Sequence, residues 1–124
     1  MLYKIDQHIY PIELYIHIGE DIHETLNQFI NDGDRLMTDD NWDQSDAKVY
    51  RGIIHKELNV YSLIVAFELV PNGKLIVHEL IHLVQRLYEH IGQTNFGDEN
   101  NAYLMEYLFS EVEKAIKQYN EILV

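Results

Sequence analysis

Hydrophobic and polar positions divide the chain into short, partly alternating stretches, a polar gap, and then long runs of helical period. Residues 9–18 are rich in Ile and Tyr, and 13–18 partly alternate, which predicts a strand ended by Gly19. Residues 20–30 carry Ile22, Leu26, Phe29 and Ile30 at helical spacing after an acidic first turn, so a helix is expected there. Residues 31–46 are dense in Asp, Asn and Gly with little periodicity and predict a loop. Trp42, the one tryptophan, is expected to plug the edge of the core or to line a binding surface. Strands are predicted at 47–55 and 60–69, joined by a turn near Glu57-Leu58-Asn59. The second is almost continuously apolar over 60–67 and should be buried on both faces. Pro71-Asn72-Gly73 breaks it, and Asn72 can cap a helix over 74–91 that Gly92 ends. After a short link at 94–97, Asp98 can cap a long final helix over 99–122. The pattern has no repeat and no second domain. It predicts one α+β domain over 1–124, a small and mostly antiparallel sheet packed against the two long helices.

At 124 residues the chain can bury one modest core. Its formal charge of −12, from 21 acidic and 9 basic side chains, argues against nucleic acid as a partner, because phosphate binding needs Lys and Arg. Solubility is the first account of that charge, and a preference for basic partners the second. With no cysteine, any metal must be held by His, Asp or Glu. No apolar run approaches the ~18 residues of a membrane span, and the first ten residues lack a signal-peptide layout. A cytoplasmic protein with no membrane partner is therefore expected.

One string changes the picture: His78-Glu79-Leu80-Ile81-His82, inside the helix predicted over 74–91. Residues four apart stand one above the other on a helix, so two imidazoles come within reach of one metal ion with a carboxylate beside them. Given the chain's His and Glu content, the chance expectation for H-E-x-x-H is roughly 0.04, so the string alone is suggestive. Helical phase adds to it. Ile76, Leu80, Leu83, Val84, Leu87 and Ile91 fall within about 100° and form the core face, while His78 and His82 lie on the polar side about 40° apart. Glu79 sits on the flank of that side. The plain alternative is a solvated polar face that happens to carry two histidines.

A catalytic zinc needs a third protein ligand and an open position. On the final helix Glu99, Tyr103, Glu106 and Ser110 lie within about 60° of one another, opposite its apolar face, and this face is a candidate to look towards the histidines. Sixteen residues separate His82 from Glu99, a spacing similar to that of glutamate-ligand zinc peptidases. Level counting in a simple antiparallel hairpin instead favours Glu106. His8, His17, His23, His55 and His90 follow no ligand spacing and are expected at the surface or as satisfied core residues.

Ile76-Val77-His78-Glu79-Leu80-Ile81-His82, followed by Asp98-Glu99-Asn100-Asn101-Ala102-Tyr103-Leu104, resembles a group of small phage- and prophage-encoded H-E-x-x-H zinc metallopeptidases, gluzincin-like and more distantly similar to the ImmA/IrrE-type metallopeptidases. The resemblance covers roughly 60–108, with Asn100 and Asn101 standing where such proteins are more apolar. It implies a minimal zincin-like fold and a zinc ion held by His78, His82 and Glu99, with Glu106 as the other candidate. Zinc so held would bring water to a pKa of about 7. Glu79 would accept the proton and deliver it to the leaving amine, and Tyr103 would donate to the oxyanion or orient the metal shell. A peptide or protein substrate is implied, laid along the strand at 61–69 as an added strand. The rivals are a non-catalytic metal-binding module and a phage protein-interaction module with a vestigial site.

Overall fold

A computed structural model of the chain describes residues 1–31, 47–92 and 98–123. Trp42, most of the polar gap and the link between the long helices lie outside the described residues. Strands β1 (Leu2–Lys4), β2 (Glu13–Ile18), β3 (Phe29–Asn31), β4 (Ala47–His55) and β5 (Tyr61–Phe67) form one sheet in the order β1-β2-β5-β4-β3. The helices are α1 (Ile22–Leu26), α2 (Gly73–Ile91) and α3 (Asp98–Ile122). The α+β class and the mostly antiparallel sheet are as expected. Among the described residues the one parallel pair is β2 with β5, running from Glu13 opposite Ser62 to Ile18 opposite Phe67.

The strand at β5 is central, hydrogen-bonded by β2 on one side and β4 on the other. This overturns the expectation that a peptide could add to it, since both rows of backbone groups are already paired. Its continuous apolar character has the expected origin. Leu63, Val65 and Phe67 pack under the long helices, while Ile64 and Ala66 face the opposite layer with Tyr15, Ile22, Leu26 and Phe29.

Two further elements differ from expectation. The helix predicted over 20–30 is a single turn, α1, followed by β3. Phe29 pairs opposite His55 and packs edge-on against the Tyr15 and His55 rings, at 5.4 and 5.1 Å between centroids. Those tertiary contacts override a local period that helix and strand share over so few residues. The short β1 was also not expected. In β4 an extra residue falls between Tyr50 and Ile53, which oppose Ile64 and Ser62 on β5. Because strand side chains alternate, this bulge turns Ile53 to the same face as Tyr50 and leaves Ala47 and Val49 facing α2.

His17 is fully buried on the α1 side of β2. Its Nε2 lies 2.9 Å from the Gly19 carbonyl, which can only accept, so Nε2 carries the proton and Nδ1 accepts from the Thr25 hydroxyl at 2.7 Å. Burial lowers its pKa from 6.5; the Gly19 carbonyl and Asp21 oppose that and the chain's amino terminus adds to it. The unfolded chain therefore binds this proton first. Stability from neutral His17 is fully present above pH 6.5 and lost as pH falls below it towards the folded value. Thermal midpoints from about pH 8 to about pH 5 should fall more steeply in the wild type than in His17→Gln; equal slopes would refute this. No helix among the described residues is long and apolar enough to cross a membrane.

Candidate metal centre and the groove beside it

Helix α2 starts and stops where its sequence dictates. The Asn72 side chain accepts from the Leu75 N–H at 2.9 Å, and Gly92 ends the helix at φ 75°, a left-handed conformation that glycine adopts without strain. Between these caps Ile76, Leu80, Leu83 and Leu87 are buried against the sheet. That seating fixes the rotation of α2 and so the direction of the H-E-x-x-H side chains.

His78 is exposed and His82 half-buried, and their ring centroids stand 5.0 Å apart with the planes at 73°. Two imidazoles bound through nitrogen at about 2.0–2.1 Å to one tetrahedral zinc put their ring centres about 5 Å apart. The pair therefore already has the spacing that one ion would impose. Glu79 is more deeply placed than helical phase alone suggests, at 7% exposed, because β4 lies over that flank of α2. The nearest polar contact of its carboxylate is His78 Nε2 at 4.0 Å, beyond hydrogen-bond range, and no hydrogen bond to it forms among the described residues. A carboxylate with no protein donor that opens onto a hollow large enough for water is free to meet a ligand or take up a proton.

Glu79 and His82 open onto a hollow of about 260 Å³ lined also by Ala47, Lys48, Val49 and Arg86. Ala47 is the small residue that leaves room there. Arg86 is shared with a second hollow of about 210 Å³, where it meets Arg51, Tyr61, Glu89 and His90. The two hollows meet at Arg86 and lie end to end between α2 and the sheet, and together they are called the groove. The basic residues of this groove were not singled out from the sequence, although Arg86 stands one turn after His82 and was visible at that spacing.

Helix α3 does not bring Tyr103 or Glu106 to the histidines. Tyr88 donates to Asn101 Oδ1, which sets the level of the hairpin. Counting back from that contact puts Tyr107 level with His82, as the simple hairpin requires, and Glu99 level with His90, about 12 Å of rise beyond His82. α3 turns Leu108, Val112 and Ala115 inward, so its opposite face turns to solvent. Tyr103 is 62% exposed there, and Glu106 is exposed too. Glu99 shares that helical phase; its side chain lies outside the described residues. Tyr88 and His82 are moreover about 120° apart around α2, so α3 and the groove occupy different flanks. The physical reason is amphipathicity: α3 must use its apolar face to cover the sheet. Among the described residues no three His, Asp or Glu side chains are gathered to hold a metal.

The remaining histidines have structural partners or none. His55 Nδ1 accepts from the Glu57 and Leu58 N–H groups at 3.2 Å, closing the β4–β5 turn, and His90 packs on Tyr61 at 4.8 Å. No protein-family model, curated protein or solved structure matches this chain.

Proposed function

We propose that the chain is a zinc-dependent peptide hydrolase of the small phage- and prophage-encoded H-E-x-x-H type, with the metal held by His78 and His82. The observation that carries this is the Glu79 carboxylate, buried without a hydrogen-bond donor among the described residues, beside two imidazoles already at the spacing of a shared ion. Zinc held there would supply Lewis acidity and lower the pKa of water to about 7. Glu79 would be the group that accepts a proton from that water and returns it to the leaving amine. The Asp98-Glu99-x-x-Ala102-Tyr103-Leu104 string makes Glu99 the third ligand of this reading, which requires the first turn of α3 to lie nearer His82 than the Tyr88–Asn101 contact places it. Tyr103 is given no role while it faces solvent.

A second reading is favoured by the exposure of Tyr103 and Glu106. It is a non-catalytic module in which the two histidines alone take a weakly held ion, or none. Calorimetric zinc titration separates the two. The hydrolase requires about one zinc per chain, lost more than about 100-fold in affinity by His78→Ala or His82→Ala and about 10- to 100-fold by Glu99→Gln, with Glu106→Gln near wild type. Zinc affinity unmoved by the histidine variants overturns the proposal; unmoved by Glu99→Gln alone, it supports the second reading.

A further inference from the structure

The chain carries only three arginines in a total charge of −12, and two of them line the groove that begins at His82. Arg51 Nη1 lies 3.2 Å from Glu89 Oε2, and Arg86 Nη1 lies 3.0 Å from Glu89 Oε1. One carboxylate thus holds two guanidinium groups facing the same hollow, leaving a local excess of one positive charge. All of these groups are partly exposed, with Arg51 at 60%, Arg86 at 33% and Glu89 at 56%. The cluster is therefore open to exchange of one carboxylate for another, and its internal ion pairs are too exposed to contribute much to folding.

The shape of the groove favours a peptide over a small molecule. Each hollow is below the 300–1,000 Å³ typical of small-molecule sites, and the two are strung along one helix edge. Arg86 is four residues, about 6 Å of rise, beyond His82, and Glu89 about 10 Å beyond it. An extended chain advances about 3.3 Å per residue, so these distances correspond to two or three residues of peptide.

We propose that Arg86 and Arg51 form a carboxylate-binding subsite of this groove, which selects peptides carrying an acidic group two or three residues from the bond at His82, with Glu89 as the resident carboxylate that the substrate displaces. This rests on the hydrolase reading only for the meaning of that distance; the binding itself does not. Planar guanidinium groups recognise carboxylates by paired N–H donors, which a lysine does not reproduce. The acidic group is either an Asp or Glu side chain or the free carboxylate at a peptide C-terminus. The local selectivity is opposite to the preference for basic partners that the net charge alone suggests.

The test uses three synthetic hexapeptides of Ala and Phe: one with an internal Glu and an amidated C-terminus, the same with Gln, and the Gln peptide with a free C-terminal acid. Binding is read by NMR titration of the full chain in chelator, with no dependence on hydrolysis. The amidated Glu peptide, the free-acid peptide or both should bind about five- to ten-fold more tightly than the amidated Gln peptide. The ratio should fall towards one in Arg86→Gln and Arg51→Gln, and rise in Glu89→Gln, where the resident competitor is gone. Which of the two acidic peptides gains identifies the source of the carboxylate. Equal binding of all three overturns the subsite, whether or not the zinc-loaded protein cuts peptides. Discrimination in chelator with no cleavage under zinc keeps the subsite and removes the hydrolase.

Discussion

Glu79→Gln should lower zinc-dependent peptide hydrolysis by about 10²- to 10⁴-fold while changing zinc affinity by no more than about three-fold. The amide has the shape of the carboxylate, so the packing under β4 and the His78–His82 pair are kept. It loses the ability to take a proton from water. A second consequence separates this from a merely structural role. Glu79 is 7% exposed and accepts no hydrogen bond among the described residues, so the amide gives up no protein contact of the carboxylate. Removing that charge should leave the melting temperature unchanged or raise it by a few degrees, as expected where a site is kept for activity at the expense of stability. Turnover of a quenched fluorescent peptide and a thermal scan on the same preparation check both halves. A marked fall in melting temperature would show that the carboxylate has a stabilising partner, and the general-base role would lose its support.

The largest effect on stability is expected at a different glutamate. Glu111, on α3, is 1% exposed. Its Oε1 accepts from the Asp6 N–H at 3.1 Å and from Tyr107 at 3.4 Å, and its Oε2 accepts from Tyr3 at 3.3 Å and pairs with Lys114 at 3.1 Å. Tyr107 also donates to the Asp6 carbonyl. This carboxylate therefore pins β1 and the turn after it to the middle of α3. Burial first, and then the Glu111 charge, hold the Tyr3 and Tyr107 hydroxyls above their ordinary pKa, so both remain donors across the neutral range. Glu111→Leu has a similar volume but strands the Asp6 N–H and the Tyr3 hydroxyl, at about 1–3 kcal/mol for each group that water does not reach. A loss of about 3 kcal/mol and a drop of about 10 °C in melting temperature are expected, with Glu111→Gln losing less because its carbonyl still accepts. Urea and thermal unfolding of the two variants measure this. A leucine variant as stable as wild type would mean that the network is marginal.

The contrast between the two glutamates shows what was legible in the sequence. The caps of α2, its core face, the two-sided burial of β5 and the α+β class all follow from period and punctuation. Local pattern carries these because each is decided within a few residues. The depth of Glu79 was not legible, since it depends on β4 crossing that flank, a contact between residues more than 30 apart. The edge or centre position of β5 depends on the parallel pairing with β2, which leaves no local trace. The solvent exposure of Tyr103 and Glu106 is not legible for a related reason. Helical phase tells which residues share a face; what that face meets is decided by where the apolar side docks. Glu111 carries no motif at all, and its partners are contributed by the other end of the chain.

Zinc K-edge X-ray absorption on the wild-type protein, loaded with one equivalent and washed free of excess metal, tests the central claim most directly. A metal held by His78 and His82 predicts a four-coordinate zinc with nitrogen and oxygen neighbours at about 2.0–2.2 Å and the outer-shell scattering of two imidazoles. A protein that retains no zinc, or a six-coordinate oxygen shell with no imidazole signal, would contradict it.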